Sequence, residues 1–192
     1  VAHPDDEALG CLGSLLHFRN KGYKVKVVFM SDGESSRKLS SAKKKKFINS
    51  RTNQARLVSK KSKFANPEFF NFPDNQLDTI PLLTIVKKLE REIKLFKPSI
   101  IFTHFENDLN IDHQITCKSV LTATRPKTSL FVKKIYCFET LSNTDFNFIK
   151  NKKKIFNPNF YVDIEKYIKK KLNLLKIYKR EIKSWPHQRS IK

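Results

Sequence analysis

Two short stretches of the sequence carry the residue types that metal and acid–base chemistry need. These are His3-Pro4-Asp5-Asp6-Glu7 near the beginning and Asn110-Ile111-Asp112-His113 in the middle. His3 and Asp6 are three residues apart on a chain entering a helix, so the imidazole and one carboxylate can reach one point. Asp5 then points elsewhere and stays free to act on a water. His113 closes the second stretch at another strand-to-helix junction. His, Asp and His make a facial set that leaves zinc with open positions for water and substrate, the pattern of a catalytic site and not of a structural one. A structural alternative stands beside this reading. Pro4 fits the first turn of a helix, and acids there complement the positive end of the helix dipole, each worth about 0.3–1 kcal/mol at a surface. That alternative accounts for the acids but leaves His3 unexplained. His17 reads as a core residue. His104, at a strand end, is open between core and site.

These stretches need a scaffold that brings them together. Apolar runs and helical patterns alternate along the chain, which predicts a Rossmann-like, mostly parallel sheet flanked by helices. Val1-Ala2 reads as a strand stub, followed by a helix over 5–20. A strand over 23–33 runs into the Gly33 turn, and 34–46 reads as a loop. A helix over 46–62, the strand Glu68–Phe72 and a turn at 73–78 come next. Then follow a helix over 81–96, a buried strand around Ile100–Phe102, a helix over 112–124 and a strand over 134–140. A further strand at 160–164 leads into a long Lys-rich helix to 183. Ligands of open α/β sheets bind beyond the carboxyl ends of the strands, so the clusters after Ala2, Ser31 and Thr103 should converge there. Asp32 either lines that pocket or makes an ordinary turn, and Glu139, Ser142 and Thr144 pose the same choice.

Composition narrows the classes. The 192 residues suffice for a single domain spanning 1–192, and 16 Phe help to fill its core. The chain has no apolar run of transmembrane length and reads as cytoplasmic. Cys11, Cys117 and Cys137 lie in apolar contexts without the close spacing of a thiolate zinc site, so they read as small buried hydrophobes and not as a disulfide framework. The net charge of +21 invites a polyanion, but 31 of the 39 basic residues are Lys and only 8 are Arg. Base and phosphate recognition favours the Arg fork, and the clusters at 43–46, 152–154 and 169–171 are dispersed, so no nucleic-acid partner is expected. With four glycines and no G-x-G-x-x-G there is no dinucleotide fingerprint either.

The stretch AHPDDEALG followed by NDLNIDH resembles the PIG-L/LmbE-like family of zinc-dependent de-N-acetylases, which act on N-acetylglucosamine units and related amino-sugar conjugates. SRTNQARL, FPDNQLD and SWPHQRS resemble three further elements of that family. The resemblance implies Zn2+ held by His3, Asp6 and His113, with Asp5 as general base and Arg51 in contact with the substrate. It departs from the family at Asn110, where many relatives carry a His that stabilises the tetrahedral intermediate. It departs again at Gln188, which replaces a Pro. His187 is the residue expected to supply the missing imidazole, as a second catalytic group. The family domain normally extends past both ends of this sequence, so the chain is expected to be a fragment. The implied substrate is a small amino-sugar conjugate, and the Lys excess would suit an anionic or membrane-surface one. The sequence assigns no oligomeric state.

Overall fold

The computed structural model describes residues 1–126, 130–146 and 155–191. Two parallel strand pairs form its sheet structure. β1 (Val28–Ser31) pairs with β2 (Glu68–Phe72), and β3 (Ile100–His104) pairs with β4 (Lys134–Phe138). Val1 and Ala2 run alongside β1: the Val1 ammonium donates to Val28 O at 2.9 Å, and the Met30 and Ser31 N–H groups donate to Val1 O and Ala2 O. The same two residues reach the other pair, since the Ala2 N–H donates to His104 Nε2 at 2.9 Å. Beyond Val1, a cavity of about 180 Å³ continues between β1 and β3, lined by Val25, Val27, Val28, Ile100, Ile101 and Phe102 among others.

Strand alternation explains the layers. Phe29 and its neighbour Met30 point to opposite faces. Phe29 joins a core with Leu12 and Leu16 of α1 (Leu12–Asn20), Ala55 and Val58 of α2 (Ser41–Lys61) and Leu174 of α5 (Glu165–Leu175). Met30 joins Ile85, Val86, Leu89 and Ile93 of α3 (Leu82–Phe96) and Val120 of α4 (Ile111–Ala123). The α3 residues recur at helical spacing and make one buried stripe. Helices therefore cover both faces, as the alternating pattern predicts.

A π-helical turn, Glu7–Cys11, precedes α1. Such turns are rare overall but frequent at functional sites. It presses Gly10 against β4, where an added Cβ would meet the Phe138 ring at 2.2 Å and Glu139 O at 3.0 Å. Gly10→Ala is therefore expected to destabilise the fold by about 1–3 kcal/mol through overpacking, read as a lowered midpoint in urea unfolding.

Several expectations are corrected. Residues 41–46 are not loop: α2 begins at Ser41. Lys is a good helix former even without an apolar stripe, and Lys44 Nζ is anchored on Ser35 O at 2.7 Å. Residues 160–164 form no strand. They cover the scaffold through side chains instead, with Phe160 stacked on Tyr136 at 4.3 Å and Ile164 packed over Gly13. The last helix stops at Leu175 and not near 183, because Tyr178 and Glu181 turn inward to bind Glu7 and Arg51. Ile100, Ile101 and Phe102 are half-buried, since they border the cavity. Cys11 and Cys117 are buried but Cys137 is exposed, and all three are free. The Lys152–154 cluster lies outside the described residues.

Candidate metal centre and active site

The three clusters do converge. The three consecutive acids that open the chain separate into three environments. Asp6 turns inward to the imidazoles: its Oδ2 lies 3.2 Å from His3 Nδ1 and 3.3 Å from both His113 Nε2 and His104 Nε2. Asp5 turns to guanidinium groups, 2.9 Å from Arg51 Nη2 and 3.6 Å from Arg189 Nη1. Glu7 anchors the turn, its Oε2 accepting the Asp5 N–H at 3.1 Å and its Oε1 accepting the Tyr178 hydroxyl at 2.6 Å. Asp5 has φ 137°, a conformation that favours glycine and costs a residue with a side chain about 1–3 kcal/mol. The bonds from Glu7 and Arg51 hold it there.

Burial sets the electrostatics. Glu7 is 1% exposed, and desolvation pushes its carboxyl up to about 7 despite the Tyr178 hydrogen bond. Tyr178→Phe leaves Glu7 Oε1 buried without that donor, and a loss of about 1–3 kcal/mol in urea unfolding is expected. Burial also raises Asp5, the nearby Arg51 charge opposes the rise, and the net direction is above the ordinary carboxylate range. Burial alone would raise Asp6 as well, but the charges of His113 and His3 hold it well below that range. His104 goes the other way. Burial and the His113 charge lower it to about 3, and with Nε2 accepting the Ala2 N–H its ring is neutral, with the proton on Nδ1.

One ligand atom each from His3, Asp6 and His113 lie within 4.8 Å of one another, and all three residues are buried. Both ring nitrogens of His113 lack a well-formed hydrogen bond, which suits a ligand position. The other nitrogen of each imidazole is backed by carboxylates. His3 Nε2 faces Asp112 Oδ2 and Asp74 Oδ1, both at 3.1 Å, and His113 Nδ1 faces Asp108 Oδ1 at 3.1 Å. Carboxylates behind metal-binding imidazoles fix the tautomer and raise ligand basicity. His3, Asp74 and Asp112 also form a compact group by themselves. Asp112 is already committed, accepting the Asn75 and Leu77 N–H groups at 2.8 and 3.0 Å.

The remaining sequence candidates are placed as follows. Arg51 is 5% exposed, and its donors are spent on Pro4 O, Gly33 O, Glu34, Glu181 and Asp5. It clamps Asp5 and the surrounding loops and presents no open face to a substrate. Asn110 caps α4 by accepting the Asp112 N–H at 2.8 Å, and its amide donates to Asn75 Oδ1 at 3.0 Å. Asp32 makes the turn, its Oδ1 accepting the Glu34 and Ser35 N–H groups. His187 is exposed; its Nδ1 accepts the Arg189 N–H, and among the described residues no hydrogen bond joins it to the ligand group. Arg189, from the same SWPHQRS stretch, is the residue that enters the site, steadied by Ser142 Oγ at 2.7 Å and Leu141 O at 3.3 Å. Thr144 donates to Asp108 and so belongs to the shell behind His113. Sequence reasoning missed Asp74, Asp108, Asp112, Tyr178, Glu181 and Arg189. Asp74, Asp108, Asp112 and Arg189 lie in stretches that resemble family elements, which could have signalled them, whereas Tyr178 and Glu181 carry no such signal.

The fold and this group define a class: an α/β protein with a buried imidazole–carboxylate centre beyond the carboxyl ends of its parallel strands. The chain belongs to the PIG-L family, whose description is GlcNAc-PI de-N-acetylase and which matches residues 1–124. Several solved structures share the fold. N,N'-diacetylchitobiose deacetylase from Pyrococcus horikoshii superposes with a TM-score of 0.73 at 18% identity, over 95% of this chain and 68% of that one. The zinc-inhibited form of a teicoplanin deacetylase gives 0.72 at 14%, over 94% and 83%. The 4-carboxy-2-hydroxymuconate hydratase from Pseudomonas putida gives 0.68 at 20%, over 93% and 80%, so the architecture hosts more than one chemistry. No curated protein matches the chain by sequence.

Proposed function

We propose that the chain is a zinc-dependent amidohydrolase that removes the N-acetyl group from an amino-sugar conjugate of the N-acetylglucosamine class. The observation that carries this is the division of labour between neighbours: Asp6 joins His3 and His113 in a compact ligand group, while Asp5 is turned away and held between two guanidinium groups. Family membership supports the substrate class. Two imidazoles and one carboxylate are a donor set that suits zinc and leaves positions open for water and substrate.

Zinc held by His3, Asp6 and His113 would supply Lewis acidity, polarising the amide carbonyl and lowering the pKa of water toward about 7. Asp5 takes the proton of the attacking water, and a carboxyl raised above its ordinary range is better matched to that task near neutrality. The amine is a poor leaving group, and Asp5 returns the same proton to nitrogen as the C–N bond breaks. Arg51 orients Asp5, as its buried ion pair at 2.9 Å requires. Arg189 keeps more exposure than Arg51 and stands 3.6 Å from Asp5, so it is the guanidinium placed to meet substrate oxygens. In this reading it takes the substrate-facing part that the resemblance gave to Arg51.

Acetate release tests the proposal directly. Zinc-loaded protein incubated with N-acetylglucosaminyl conjugates, an inositol-phosphate conjugate and a chitobiose unit among them, is expected to yield acetate and free amine in equal amounts from at least one. Folded, zinc-replete protein that releases acetate from none of them would overturn it.

A further inference from the structure

Two of the three free thiols face each other between α4 and β4. Cys117 lies on α4, one helical turn after His113, and is fully buried. Cys137 lies on β4 opposite Thr103 of β3 and is exposed. Strand alternation sets its direction. Its neighbour Phe138 packs with Cys11 and Leu15 on the α1 side, so Cys137 points to the other face of the strand pair. On that face Ile101, which shares a side of β3 with Thr103, packs against the core that contains Val120 of α4. Val120 follows Cys117 at the i+3 spacing that shares a helix face. The two sulfurs meet there, the Cys117 S–H donating to Cys137 Sγ.

The pair is asymmetric. The hydrogen bond and burial together raise the Cys117 thiol, whereas the same bond lowers Cys137 against its own burial. Cys137 is thus both the thiol that reaches solvent and the one that more readily becomes thiolate, the nucleophilic form. Cys117 stands behind it, within reach of its sulfur. An exposed attacking thiol backed by a second, buried one suits reversible disulfide exchange. Cys11 has neither property: it is buried on the opposite face with Leu15 and Val25, and burial pushes its thiol up to about 12.

We propose that Cys117 and Cys137 form a redox-active pair that closes to a disulfide by exchange with a small disulfide of the glutathione type. The Cys137 thiolate attacks one sulfur of the oxidant, forming a mixed disulfide and expelling a first thiolate. Cys117 then loses its proton, attacks Cys137 Sγ and expels the second. Two protein thiols are oxidised to one disulfide, and the oxidant is reduced to two thiols that take up the two protons. The new bond ties β4 to the helix that carries His113 and uses no residue of the ligand group.

The test incubates the native chain with oxidised glutathione, records its intact mass, then alkylates the remaining thiols and maps the peptides. The expected product is two hydrogens lighter, carries a Cys117–Cys137 link, keeps Cys11 as a thiol and returns to the starting mass with dithiothreitol. Cys117→Ala removes the second thiol and should hold one glutathione on Cys137. Cys137→Ser should react at least about tenfold more slowly than the native chain. The native map stands without either variant, should one of them fail to fold. Three results would overturn the proposal. One is a folded native chain whose two thiols stay free. Another is glutathione that remains on Cys137 without the link closing. The third is a link that runs through Cys11 or forms only in urea, which would mean that the fold does not bring this pair together.

Discussion

Asp5→Asn is expected to lower kcat for acetate release by about 10²–10⁴-fold while zinc remains bound at one ion per chain. The substitution keeps the shape of the side chain and the Arg51 contact at one oxygen, but removes the group that takes a proton from water and returns it to nitrogen. Asp5 lies outside the group His3, Asp6 and His113 proposed to hold the metal, which is why metal content should be spared. KM should change far less than kcat, because the lost interaction belongs to the transition state. Loss of zinc together with activity would instead mean that Asp5 serves the metal, and the division between Asp5 and Asp6 would be wrong.

The second large effect is expected at His113. Carboxylates behind metal-binding imidazoles are worth about 10–100-fold in metal affinity when removed, so loss of a direct ligand should exceed that. His113→Gln keeps most of the volume of this fully buried side chain. Metal analysis after dialysis is expected to find the variant zinc-depleted and without acetate release. Its urea midpoint, measured beside that of metal-free native protein, separates loss of the ligand from loss of the fold. A variant that stays folded and retains one zinc would remove His113 from the ligand set.

The difference between Arg51 and Arg189 shows how far local sequence reaches. Both lie in stretches that resemble family elements, and nothing local says which guanidinium is buried among backbone carbonyls and which faces the entrance. That depends on Gly33, Pro4 and Glu181, which come from three separated parts of the chain. The same holds for His187: it stands two residues from Arg189, but the turn there directs the arginine inward and leaves the imidazole exposed. His3, Asp6 and His113 come together as their placement at two strand-to-helix junctions suggested, because short-range geometry largely fixes each of them. The first two share one helix entry, and the third lies in the first turn of α4, three residues after its Asn110 cap.

The fold divides along the same line. Glu68–Phe72 and Leu82–Phe96 agree with their apolar patterns to within a residue or so, because each pattern has a buried partner surface. The first turns of α2 have no apolar stripe to read, and the helix is held there by lysine propensity and one anchored Lys44. Residues 160–164 have strand-like composition but find no ladder partner, and their aromatic and aliphatic side chains cover Tyr136 and Gly13 instead. The inward pull of Tyr178 and Glu181 that ends α5 is a long-range effect, set by charges near residue 5.

The measurement that tests the central claim most directly is an anomalous-difference map at the zinc absorption edge, from crystals of the zinc-loaded protein. A single peak among His3, Asp6 and His113, with the Asp5 carboxylate outside bonding distance of it, is the predicted result. A peak among His3, Asp74 and Asp112, or no peak in a zinc-replete crystal, would contradict both the ligand set and the role given to Asp5.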